Sequence, residues 1–168
     1  EFLDAQEAQD QSQESSAIDL QSFIARWETP ELMLSARFSV TIPGESVFEV
    51  YIDLNHQPYV GNGASYDMSL RANPADFWEY LVRAESQGRV TVFRSRGRRD
   101  KEQVFSASDA VSVQGDALTV HFPKAVLAGR DPMRWGWAVC LKGAEGGIFD
   151  CLQRNPGVTE FLDFFQAQ

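Results

Sequence analysis

At 168 residues and 18.8 kDa, with 43% hydrophobic residues, the chain supports one ordinary domain that buries roughly two-thirds of its surface, and falls short of two. Fifteen Lys and Arg against 24 Asp and Glu give a formal net charge of −9, which argues against nucleic acid or an anionic membrane, both of which call for a basic face. No apolar stretch reaches the ~20 residues that span a bilayer.

The charge is unevenly spread. Residues 1–16, EFLDAQEAQDQSQESS, hold Glu1, Asp4, Glu7, Asp10 and Glu14 and no base. This Gln-, Ser- and acid-rich composition buries too little apolar area to offset the entropy of ordering, so residues 1–17 read as an acidic flexible tail. The first residue is Glu, which fits either a cleaved leader or a cloning remnant at Glu1-Phe2.

From Ile18 onward, short runs of alternating or β-branched apolar residues predict strands near Leu20–Trp27, Leu32–Thr41, Val47–Leu54, Tyr66–Ala72, Trp78–Glu85, Arg89–Arg94, Ala110–Val113, Leu118–Phe122, Arg134–Leu141 and Ile148–Leu152. Turn chemistry separates them at Thr29-Pro30, Ile42-Pro43-Gly44, Gly61-Asn62-Gly63, Asn73-Pro74, Gln87-Gly88, Gln114-Gly115-Asp116 and Gly146-Gly147. Strands of this length and spacing imply an all-β, antiparallel two-sheet sandwich over 18–157. Pro123 to Gly129 suits one helical turn near 124–128. In residues 158–168 the i, i+3, i+4 spacing of Phe161, Leu162, Phe164 and Phe165 predicts a C-terminal helix that docks on the sandwich or on a protein partner.

Cys140 and Cys151 flank a turn centred between Glu145 and Gly146, so an antiparallel hairpin would set them directly opposite each other, at disulfide spacing. A disulfide favours an exported protein. The alternative is a pair of buried thiols.

Catalytic patterns are missing. No Gly-x-Ser-x-Gly elbow is present, His121 occupies the outward register of Leu118–Phe122, and Gly61-Asn62-Gly63 lacks the further glycine of a dinucleotide loop. The chain therefore reads as a non-enzyme. Asp53-Leu54-Asn55-His56-Gln57 spaces oxygen-bearing side chains as a calcium loop begins, but Pro58 and Ala64 replace its obligatory Gly and Glu. A calcium site of another kind from Asp53, Asn55, Asn62 or Asp67 competes with strand-end capping by Asp53 and Asn55. Arg94, Arg96, Arg98, Arg99 and Lys101 read as a solvated hairpin loop facing the acidic tail or an acidic glycan.

Aromatic residues suggest sugar stacking, which joins an apolar face to nearby carboxamides and carboxylates. Trp135 and Trp137 share a strand face with Val139 and Leu141 and read as core. Trp78, Tyr59 and Tyr66 adjoin loops and are candidates for exposure, with Asn62 and His56 as polar partners.

The segments VFEVYIDLNHQP, GNGAS, FWEYLVRAESQGRVTVF, VSVQGDALTVHFPKAVLAG and RWGWAVCLKG resemble the C-terminal module of glucodextranases and of some family 57 amylases and pullulanases. That module is similar to family 9 carbohydrate-binding modules and DOMON sandwiches. The resemblance covers about residues 20–143. It implies an extracytoplasmic jelly-roll-like sandwich that recognises glucan or cell-surface polysaccharide, and it puts Asp53 and Asn55 in the family's strand-end polar cluster. Two alternatives accompany this reading. One is an extracellular assembly subunit that docks through 158–168. The other is a DOMON-like haem binder using Met68, Met33, Met133 or His56.

Overall fold

The period-2 alternation of the sequence becomes two facing antiparallel sheets and one short pair of strands. The computed structural model describes residues 2–6, 18–27, 30–68, 70–72, 74, 77–127, 135–143, 148–152 and 164–166. In chain order the strands are β1 (Phe2–Gln6), β2 (Leu20–Trp27), β3 (Glu31–Phe38), β4 (Ser46–Asp53), β5 (Leu70–Ala72), β6 (Tyr80–Glu85), β7 (Val90–Ser95), β8 (Lys101–Ala107), β9 (Val111–Gln114), β10 (Ala117–Pro123), β11 (Gly136–Gly143), β12 (Ile148–Leu152) and β13 (Phe164–Gln166). The first sheet runs β1-β2-β3-β10-β9 and the second β12-β11-β4-β6-β7-β8, while β13 pairs with β5. Lys124–Val126 forms a single 3-10 turn, where Pro123 sets an extended entry.

The two sheets use their faces differently. On β3, Leu32, Leu34, Ala36 and Phe38 point inward while Met33, Ser35 and Arg37 do not, so the first sheet has one buried face. Its inward residues meet Phe48, Val50 and Ile52 of β4, Val82 of β6, Val92 of β7 and Trp137, Val139 and Leu141 of β11 in one core. Phe23 packs on Trp137 with ring centroids 5.4 Å apart. Every residue of β4 is buried, because the second sheet is covered on its outer face as well. That outer layer is a smaller cluster of Tyr51, Ala72, Trp78, Leu81 and Ala138, flanked by Tyr66, Phe77 and Phe93.

Most predicted elements are present, and the exceptions have physical reasons. Phe2–Gln6 pairs antiparallel with β2 instead of belonging to a solvated tail, because the edge of β2 offers free backbone groups. Residues 7–17 of the expected tail lie outside the described residues. Strand β8 follows the basic loop and escapes periodicity because a register shift opposite Val92 and Phe93 inserts Val104, 39% exposed, between Gln103 and Phe105. The expected C-terminal helix is corrected over Phe164–Gln166, which pairs with β5. Aromatic residues suit a pleated surface, and β5 supplies the ladder that a lone short helix would lack. Residues 158–163 lie outside the described residues.

Strands β11 and β12 pair as the hairpin arithmetic requires, with Cys140 opposite Cys151. Among the described residues no helix is long and apolar enough to cross a membrane.

Candidate functional site

The segment between β4 and β6 makes a long excursion over the outer face of the second sheet, and alternation decides what it must cover. With Phe48, Val50 and Ile52 turned into the sandwich, β4 turns Glu49, Tyr51 and Asp53 outward, all at about 1% exposure under the excursion. Buried charges and hydroxyls need partners. Glu49 Oε2 accepts from Lys142 Nζ at 2.9 Å and from the Tyr51 hydroxyl at 2.5 Å, and Arg83 Nε stands 3.4 Å from Oε1. Lys142 Nζ also reaches Asp67 Oδ2 at 3.2 Å, and the Tyr66 N–H donates to the Tyr51 oxygen at 3.0 Å. Burial first, and then the Glu49 charge, push the Tyr51 hydroxyl pKa well above its ordinary value.

These bonds fasten the excursion at one place, and Trp78 fastens it at another. Trp78 is fully buried, stacks edge-on against Tyr51 with centroids 5.6 Å apart, and donates Nε1–H to the Ala64 carbonyl at 2.9 Å. Its backbone exchanges hydrogen bonds with Asn62, at 2.8 and 3.0 Å. Gly61 permits this approach: its φ is +110°, and a Cβ there would lie 2.7 Å from the Trp78 carbonyl oxygen. The Gly61-Asn62-Gly63 triplet is thus tied to the Trp78 backbone through Asn62.

The predicted binding residues separate accordingly. Trp78 is corrected from an exposed platform to an anchor, since its ring faces only protein. Asn62 is also buried, with Nδ2 donating to the Asp100 carbonyl at 3.1 Å and Oδ1 accepting from the Ala64 N–H at 2.9 Å. Tyr66 is half-buried and its ring carries Arg83 at 4.4 Å, Lys101 at 4.7 Å and Phe93 at 5.3 Å. Tyr59 is 58% exposed, with Phe77 edge-on at 6.1 Å and the Arg98 guanidinium 5.5 Å from its ring centroid. Val60 and Met68 are exposed on the same excursion. His56, Tyr59 and Met68 also have positive φ values of 52°, 64° and 62°. Such backbone in non-glycine residues costs about 1–2 kcal/mol each and persists only where its surroundings hold it, as at ligand-contacting loops.

The candidate calcium residues do not converge. Asp53 and Asn55 meet at the end of β4, whereas Asp67 bonds Lys142 and Ser65 Oγ near the strand's other half. Asp53 Oδ1 accepts from the N–H groups of Asn55 and His56 at 3.0 and 2.8 Å, and Oδ2 faces His56 Nδ1 at 3.4 Å, which is the capping arrangement. Among the described residues no group of three or more His, Cys, Asp or Glu side chains is arranged to hold a metal ion. Met133, one of the candidate haem ligands, lies outside the described residues.

Glu79 completes the strand-end cluster from 24 residues beyond Asn55, a separation that no local sequence pattern bridges. Its Oε2 accepts from the Leu54 N–H and its Oε1 from Asn55 Nδ2, both at 2.7 Å. Burial above all, with the Asp53 charge behind it and against the two donated bonds, pushes its carboxyl up to about 7 from 4.5. An acid raised in the folded state holds its proton there after the unfolded chain has lost it. Its stabilising contribution is therefore complete below pH 4.5 and disappears as pH rises to about 7. Allowing for the screening of this partly exposed group, the parent should lose about 1–2 kcal/mol over that window relative to Glu79→Gln. Urea unfolding of both proteins from pH 4 to 8 checks this, and parallel pH profiles would contradict it.

The geometry defines a β-sandwich that carries an exposed aromatic and several cations on one fastened loop layer. A family model described as the C-terminal binding module, SLH-like, of glucodextranase matches residues 10–155, and the chain belongs to that family. No curated protein matches the chain.

Proposed function

We propose that the protein is a non-catalytic, extracytoplasmic module that binds polysaccharide, a glucan or a cell-surface polymer, through the loop surface centred on Tyr59. One observation carries this reading: Tyr59 is a large, open ring held in left-handed backbone on a segment pinned at Trp78, Tyr51 and Lys142. Stacking on a sugar needs an amphipathic ring that is solvent-exposed yet already ordered, so that little entropy is lost on binding. Membership of a binding-module family supports the same reading.

The expected result is retardation of the parent protein in native gels containing a recognised α-glucan or cell-wall polymer, and its loss in Tyr59→Ala. Because Tyr59 is exposed, that substitution should change stability by no more than about 0.5–1 kcal/mol. Equal mobility of parent and variant with every polymer would contradict the proposal.

An extracytoplasmic location accords with a Cys140–Cys151 disulfide, which the direct opposition of the two backbones favours. Intact-mass measurement of unfolded protein with a thiol-blocking reagent should show no labelling before reduction and two labels after it. Two labels without reductant would remove the disulfide.

A further inference from the structure

We propose that the polysaccharide read by the Tyr59 surface is anionic, and that Arg98 and Arg99 recognise its charged groups. This rests on the polysaccharide reading above and narrows its ligand class.

The basic run is placed beside Tyr59 by backbone geometry. After Ser95 pairs with Lys101, residues 96–100 form the loop between β7 and β8, closed by the Arg96 N–H to the Asp100 carbonyl at 2.9 Å. The Arg98 carbonyl accepts from the Gly63 N–H at 3.0 Å, and the Asp100 carbonyl from Asn62 Nδ2 at 3.1 Å. Both acceptors bond the Asn62-Gly63 segment that pairs with Trp78, so the cationic loop and the aromatic loop are joined.

The five cations then divide by what they touch. Arg94 and Arg96 share Glu102, whose carboxyl is held below its ordinary pKa by the Arg94 bond first and Arg96 second. Lys101 Nζ donates to the Tyr66 carbonyl at 3.2 Å and covers that ring. Arg98 and Arg99 are exposed, and among the described residues neither has a carboxylate partner. Arg98 lies against Tyr59. The one acid inside the loop, Asp100, turns Oδ1 to the Lys101 N–H at 2.9 Å.

A guanidinium fork on Arg98 beside an exposed ring, with the exposed Arg99 next to it in the chain, matches a pyranose polymer that bears carboxylate or phosphate groups, since each fork can take two oxygens of one such group. The chain's net charge of −9 works against long-range attraction of a polyanion, but contact is governed by the charges at the surface itself. Charges more than about 8 Å away are largely screened at physiological ionic strength, so the local pair decides.

The test is titration calorimetry of the full chain with four probes: a neutral α-glucan, polygalacturonate, a phosphodiester-linked glycan and polyglutamate. Polygalacturonate or the phosphodiester glycan should bind about three to ten times more tightly than the neutral glucan, the gain expected of one or two exposed charge contacts. Whichever is tighter names the anionic group. In the double variant Arg98→Ala/Arg99→Ala the ratio of charged to neutral affinity should fall toward one, and Arg98→Lys/Arg99→Lys should restore part of it. Thermal melts of both variants verify folding. An unchanged ratio in the alanine variant, or polyglutamate binding as tightly as polygalacturonate, would overturn the inference. Neutral glucan bound as well as the anionic polymers would overturn it while leaving the polysaccharide reading intact. If no glycan binds the parent, both readings fail.

Discussion

Replacing Trp78 by alanine is expected to cost about 3–5 kcal/mol of stability and to release the loop layer from the second sheet. The indole is fully buried, contacts Tyr51 and supplies the Nε1–H that satisfies the Ala64 carbonyl. Its removal therefore leaves both a cavity and an unsatisfied buried acceptor. The sandwich core on the opposite face of β4 does not include Trp78. Loss should thus appear as local opening first: amide protons of Asn62, Gly63 and Ala72, bonded within this layer, should exchange faster than those of β3 and β10. Denaturant unfolding with hydrogen exchange measures both parts. A cost below 1 kcal/mol with unchanged exchange in the loop would show that Trp78 is not the anchor.

The second large effect belongs to Lys142. Lys142→Met fits an unbranched side chain of similar length into the same channel but leaves Glu49 with Arg83 at 3.4 Å and the Tyr51 hydroxyl. Removing one member of a buried ion pair costs about 3–5 kcal/mol, because the other charge stays desolvated. The Arg83 contact should hold the loss toward the lower figure. The double variant Lys142→Met/Glu49→Gln removes both charges and should recover most of that stability. Urea unfolding of the parent, both single variants and the double variant closes the cycle. Additive losses would mean that the two side chains do not act as a pair.

The parts legible in the sequence were those governed by short-range pattern. The bounds of β2 and β12 follow their alternation and flanking turns, the hairpin index sum placed Cys140 opposite Cys151, and Trp135 and Trp137 lie in the core with Val139 and Leu141. His121 faces solvent at the register its strand predicted. The strand-end cluster was half visible: Asp53 and Asn55 meet, but Glu79 is 24 residues beyond Asn55 and nothing local joins them.

The remainder depended on tertiary cover. Glu49, Tyr51 and Asp53 alternate with apolar residues as a solvated face would, and only the excursion across them makes that face an interior. Trp78 beside a loop looked open because sequence adjacency does not reveal which way a ring turns. For β8 the obstacle was the inserted Val104, which breaks period-2 counting. The hairpin was recognisable from its cations, of which Arg96, Arg98 and Arg99 lie in the loop while Arg94 and Lys101 belong to β7 and β8, whereas the loop's fastening to the Gly63 N–H and the Asn62 side chain is a long-range contact without a sequence signature.

The central claim is that one exposed ring, Tyr59, held on a fastened loop layer, makes the sandwich a polysaccharide-binding module. Affinity electrophoresis of the parent and Tyr59→Ala through a panel of α-glucan and cell-wall polymer gels, with thermal melts of both proteins, tests it most directly. The account predicts near-equal melting temperatures, retardation of the parent in at least one gel and free migration of the variant there. Retardation that persists undiminished in Tyr59→Ala, or a parent that no polymer retards, would contradict it.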